Sequence, residues 1–203
     1  QQYIWAKGEG GVGNDAAFGI AADNSGNCYV TGNIAGSADF SGTVDQGRNL
    51  FDVFIAKYDA AGNVAWVVTT GGTGNDQANA IVLSNNLLYI CGYFEDTAYF
   101  GSYQLISKGQ QDAFVACYNL SGQCIWAAPA GGSGTDVAKS LALDANDNVF
   151  VVGNYETSIN IGGTQLSTAN FFNESFVAAY NSNGNLLWAR SSQGNNANQF
   201  TDI

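Results

Sequence analysis

Apolar and polar positions along the chain fall into short runs whose pattern returns. In DVFIAKY (52–58), alternation places Val53 and Ile55 on one face of a strand and Phe54, Ala56 and Tyr58 on the other, so both faces are apolar. DAFVACY (112–118) and ESFVAAY (174–180) largely repeat the scheme. Runs this short, separated by Gly, Asn and Asp, predict strands rather than helices. Each is followed by a turn, DAAGN (59–63), NLSGQ (119–123) or NSNGN (181–185), and DNSGN (23–27) repeats the chemistry elsewhere. An Asp or Asn, two free positions and a Gly describe a type I turn closed by a left-handed glycine, which makes a three-residue hairpin loop. Pairing the Asp or Asn with the residue after the Gly predicts Trp66 opposite Ala56, Trp126 opposite Ala116 and Trp188 opposite Ala178. It also sets Cys124 across from Tyr118.

The landmarks keep a common period. Trp5, Trp66, Trp126 and Trp188 lie 61, 60 and 62 residues apart, and ten residues after them come Asp15, Asp76, Asp136 and Asn198. These four tryptophans are read as structural features of the repeat. One period contains four predicted strands, A (16–22), B (27–34), C (52–58) and D (64–69). A two-layer sandwich covers only one face of each strand, whereas small sheets stacked side by side cover both faces of strand C. The predicted class is therefore all-β, a β-propeller segment of three complete four-stranded antiparallel blades with partial strands at both ends. The divisions fall at 1–9 (partial), 10–70, 71–130, 131–192 and 193–203 (partial). Closed propellers have about four to eight blades. The remaining blades are expected from the same longer chain or from another copy.

Composition supports this class. The 203 residues include 46% hydrophobic residues, 26 glycines and a single proline, which suits a folded protein of many strands and tight turns. A formal charge of −11 repels phosphate backbones and anionic lipid, so nucleic acid is not an expected partner. No apolar run approaches the roughly 20 residues of a membrane-spanning helix, and no membrane insertion or leader is expected; Gln1 is read as a mature end or an arbitrary boundary. Cys28, Cys91, Cys117 and Cys124 occupy different repeat positions without metal-ligand spacing, and they are expected as buried unpaired thiols, with a Cys117–Cys124 disulfide, which needs a one-residue slip of register, as the alternative.

The motif DAFVACY-N-x-x-G-x-x-x-W followed by GGSGTDVA, with its siblings, resembles the SBBP type of bacterial β-propeller repeat. That resemblance covers nearly the whole chain, although Gln193, Gly194, Asn195 and Asn196 depart from GGxG in the last copy. It implies a secreted or cell-surface location, adhesive or scaffolding roles, and no shared catalytic residues.

Features present in every copy serve the blade first, so function is sought where the repeat relaxes. The GGxGxD crossings at 10–15, 71–76 and 131–136 lack a phosphate-binding Lys and a following helix, and read as loops that need Gly dihedrals. Asp15, Asp76 and Asp136 then accept hydrogen bonds from loop amides, with Ca²⁺ coordination as the alternative; otherwise no cofactor is expected. DANDN (144–148) reads as a hairpin turn rather than a calcium loop. Asp52, Asp112 and Glu174 open each strand C and are the carboxylates of an alternative reading, a polysaccharide-acting enzyme. A purely structural repeat without ligand is a third. With no His, triad chemistry is absent, and the main reading is non-enzymatic. The B-to-C segments 34–51, 94–111 and 155–173 vary most. There Arg48, Asn49, Tyr99, Tyr103, Gln104, Lys108, Tyr155, Phe171, Phe172 and Asn173 combine rings with amides and cations, as recognition of a protein or glycan at a cell surface requires. Phe40, Phe100, Tyr99 and Phe172 have a second reading, as plugs that fix these loops to the core.

Overall fold

A computed structural model describes residues 5–84, 86–168, 173–192 and 200–203, without the side chains of Gln46, Arg48 and Asn49. The described residues are all-β and antiparallel. After β1 (Gly10–Gly11), the first blade comprises β2 (Ala16–Ala22), β3 (Cys28–Phe40), β4 (Thr43–Tyr58) and β5 (Val64–Gly72). The second comprises β6 (Gln77–Ser84), β7 (Leu87–Phe100), β8 (Tyr103–Asn119) and β9 (Cys124–Gly131). The third comprises β10 (Val137–Leu143), β11 (Val149–Tyr155), β14 (Glu174–Tyr180) and β15 (Leu186–Ser191), with a hairpin of β12 (Ser158–Ile161) and β13 (Thr164–Ser167) between its middle strands. Strands pair in the order A-B-C-D within each blade, and the ring is open. At the N-terminal end, 5–9 form no strand; only Gly10 and Gly11 pair, with Asp39 and Ala38.

Strand C explains why blades stack. Phe114, Ala116 and Tyr118 are buried against the first blade with Tyr29, Val53 and Ile55, while Val115 and Cys117 are buried against the third with Val151, Phe176 and Ala178. Each sheet therefore has a rear face toward the preceding blade and a forward face toward the next. All four cysteines are free, and burial pushes the thiols of Cys117 and Cys124 up to about 12, so they act as small apolar fillers.

The C-to-D turn forms as the sequence predicts. Asp59 N donates to Asn63 O at 2.9 Å and Gly62 N to Asp59 O at 2.9 Å, with Gly62 at φ 81°. The strand register beyond it differs. Tyr58 pairs with Val64, but Lys57 pairs with Trp66, because an extra residue, Ala65, bulges out of β5. Trp126 accordingly faces Cys117, and Trp188 faces Ala179, rather than the predicted alanines one position earlier; Cys124 does pair with Tyr118. At 144–148 the turn places Asp147 at φ 59° in the glycine's role.

The larger correction concerns the B-to-C segments, which are not open loops. β3 and β4, and likewise β7 and β8, run on past the blade as hairpin arms, and β12–β13 is the third arm. Each arm turns back to pair with the end of the preceding blade's strand D: Gly71 with Tyr99 and Gly72 with Ala98, then Gly131 with Asn160 and Ala130 with Ile161. Phe40 and Phe100 are buried and pack on Phe54 and Phe114, with ring centroids 5.2 and 4.5 Å apart. The residue at the base of each arm is left-handed: Gly36 (φ 76°), Asp96 (φ 55°) and Thr157 (φ 63°). A β-branched side chain is strained there. Thr157→Gly should therefore raise stability by about 0.5–1 kcal/mol, the relief exceeding the added chain entropy of glycine; chemical denaturation reads this directly.

Candidate functional site

The repeated polar residues lie beneath the crossings. Asp76 Oδ2 accepts from Gly72 N at 2.6 Å and Oδ1 from Glu95 N at 3.2 Å; Asp136 does the same with Gly132 N at 2.6 Å and Glu156 N at 3.2 Å. Asp15 accepts from Gly11 N and Ala35 N at 2.6 and 2.9 Å. Each aspartate thus ties the crossing to the base of the next arm. The glycines are demanded by the same closeness: a methyl group at Gly72 would lie 1.7 Å from Thr97 O. Asp76 and Asp136 are fully buried, and burial pushes both up to about 7, against the opposing pull of the amide donors. No group of three His, Cys, Asp or Glu side chains converges for a metal among the described residues.

Asp52, Asp112 and Glu174 are buried as well. Asp112 accepts from Lys108 N at 3.0 Å and Ser107 Oγ at 3.2 Å, and Glu174 from Ser192 Oγ at 2.7 Å. Asp112 and Glu174 thus hold backbone and hydroxyl donors, and Asp112 also lines an open groove with Lys108 and Pro129.

The predicted recognition residues divide. Tyr155 belongs to the core of the third blade and donates to or accepts from Ser191 Oγ at 2.7 Å. Asn173 is half-buried, whereas Phe171, Phe172 and the side chains of Arg48 and Asn49 lie outside the described residues. Lys108 is exposed and lines a groove of about 500 Å³ with Pro129, Asn160 and Leu186. Three of the predicted residues come together on the second blade's arm. Tyr99 and Gln104 are cross-strand partners, with Gln104 Nε2 donating to Tyr99 Oη at 3.2 Å, and Tyr103 Oη donates to Ile125 O.

Alternation gives this arm two faces. Ala98, Phe100 and Leu105 are buried beneath it, while Tyr99 (45% exposed), Gln104 and Ile106 (62% exposed) stand on the other side. Gly72, Thr73, Thr97, Tyr99 and Gln104 line an open groove of about 490 Å³ there. Tyr99 O accepts from Thr70 Oγ1, which holds the ring's backbone against strand D of the first blade. Sequence reasoning missed Ile106, whose partner Thr97 places it on the exposed face. It also missed Glu95 and Glu156, which accept from Asn75 N and Thr135 N at 3.1 Å each. Their spacing of one repeat was the available signal.

No family model matches the chain, so the SBBP resemblance is not narrowed to that family. Over 157 residues, 68% of this chain and 11% of the relative, it is 31% identical to an uncharacterized WD repeat-containing protein, L264, of Acanthamoeba polyphaga mimivirus. It is 26% identical over 131 residues, 59% of this chain and 13% of the relative, to the regulatory protein FlaEY of Caulobacter vibrioides. The chain spans only 11% and 13% of these curated relatives. WD repeats build β-propellers. The likeness therefore agrees with the blade architecture at the level of repeat and fold.

Proposed function

We propose that the chain is a non-enzymatic interaction module that recognises a protein partner through the exposed face of the second blade's arm. The single observation that carries this reading is the unrepeated patch of Tyr99, Gln104 and Ile106, outward-facing on a hairpin whose other face is fixed in the core. The corresponding cross-strand pairs are Asp39 with Val44 in the first blade and Asn160 with Gln165 in the third. Only the second arm presents a ring there. A rigid platform presenting an aromatic ring and an apolar side chain loses little entropy on binding, which suits a protein interface. Similarity to a WD repeat-containing protein supports an interaction role.

A glycan at a cell surface is the second reading. It is favoured by the Tyr99 ring beside the Gln104 amide and the Thr73 and Thr97 positions in one open groove. An extracellular adhesive or scaffolding role is part of the same proposal and rests on the resemblance to the SBBP type of repeat. Tyr99→Ala with Ile106→Ser should weaken capture of a protein partner from native extract by about tenfold or more, with unchanged thermal stability. A glycan array probed with the same pair of chains separates the two readings. Capture that is equal for both chains, together with an array silent for both, would remove the arm as the site.

A further inference from the structure

Every blade junction is closed by the same latch. The Trp66 ring lies 6.1 Å from Tyr29 on its own blade, and its Nε1 donates across the junction to Leu120 O at 3.1 Å. Trp126 lies 6.1 Å from Tyr89 and donates to Ser182 O at 2.9 Å. In both cases the acceptor is the second residue of the next blade's C-to-D turn, and that turn's glycine lies against the indole. A methyl at Gly122 would fall 3.3 Å from Trp66, and one at Gly184 would fall 2.6 Å from Trp126. Glycine is needed there twice over, for its left-handed backbone (φ 83° and 81°) and for the room it leaves.

Trp188 has the same posture without the turn. Its ring lies 6.0 Å from Phe150, which occupies the place of Tyr29 and Tyr89, yet Trp188 is 39% exposed where Trp126 is 8%. Phe150 and Val177 are half-buried, whereas their counterparts Tyr89 and Val115 are buried. Residues 200–203 are tied to this blade by Phe200 N donating to Ser175 Oγ at 2.9 Å and Ser140 Oγ to Asp202 at 2.7 Å.

We infer that Trp188 and the forward face of the third blade dock a further repeat of the same build, received turn first. Its Asx-x-x-Gly turn sets glycine beneath the indole and offers the carbonyl of the residue after the Asx to Nε1. Its Phe-x-Ala-x-Tyr face covers Phe150 and Val177. The occupant follows from continuity: the same face of the first and second blades is closed in this way. The chain's own first turn, Asp59–Asn63, is not an open socket. Trp5 already fills it, 2.7 Å from where a methyl on Gly62 would stand and stacked on Tyr58 at 5.9 Å.

Opening that socket is the test. Trp5→Ala, and separately a chain lacking residues 1–9, should associate head to tail in sedimentation velocity at tens of micromolar, whereas the unaltered chain should stay monomeric. Trp188→Ala or Gly62→Val added to either opened chain should restore the monomer. An opened chain that folds by circular dichroism and stays monomeric overturns the inference, as does association that survives Trp188→Ala. Association of the unaltered chain that is lost in Trp188→Ala would also overturn it, since no open glycine turn would then be required.

Discussion

Trp126→Ala should lower unfolding free energy by about 3–5 kcal/mol, the range for truncating a buried large aromatic. Three contributions disappear together. The ring is 8% exposed, it stacks on Tyr180 at 6.3 Å, and its Nε1 serves Ser182 O. The void opens at the junction between the second and third blades, against the Gly184 turn, where neighbouring sheets cannot close up without breaking strand pairing. Trp188→Ala at the corresponding position should cost about 1 kcal/mol or less, because that ring is already 39% exposed. Urea denaturation of the two variants provides the comparison. Equal losses would show that the indole stabilises its own blade rather than the junction.

The second large effect is expected at the crossings. Asp136→Ala strips the acceptor from two amides, Gly132 N and Glu156 N, at a fully buried position, and should cost about 3 kcal/mol. The same residue predicts a pH dependence. Burial raises Asp76 and Asp136 from 3.8 to about 7, so between these values the folded chain keeps protons that the unfolded chain has released. Their stability contribution is complete below about pH 4, falls as pH rises to about 7, and is level above that. Asp23, Asp59 and Asp144 act oppositely. Asn27, Asn63 and Asn148 hydrogen bonds hold these turn carboxylates below the usual range, so their contribution is lost on further acidification. Melting temperature should thus be higher at pH 5 than at pH 8, and the slope should flatten in Asp136→Ala. A melting temperature that rises from pH 5 to pH 8 would show Asp76 and Asp136 ionised throughout.

Much of the fold could be read locally. Apolar residues on both faces of strand C require cover on both sides, and the return of that pattern every 60 residues or so requires the cover to be another copy. The turns were equally legible, since Asx-x-x-Gly encodes its own hydrogen bonds within five residues. The pairing of Trp66 was not. The Ala65 bulge shifts every pair beyond the turn by one residue, and the same shift occurs in the third blade, where no turn meets Trp188, so it belongs to the hairpin itself and not to a contact between blades.

For the site, the sequence selected the variable segments and supplied Tyr99, Gln104 and Tyr103, but it could not show that these segments are arms bonded back to the preceding blade. That pairing joins residues such as Gly71 and Tyr99, and backbone hydrogen bonds leave little trace in side-chain pattern. Tyr155 shows the cost, being a ring in a variable segment that tertiary packing places in the core. Repetition along the chain determined the blades, their faces and their turns, because each copy meets the same local demand for burial. Which carboxylates are enclosed, which rings stay exposed, and which tryptophan lacks a turn above it were decided only by the contacts between copies.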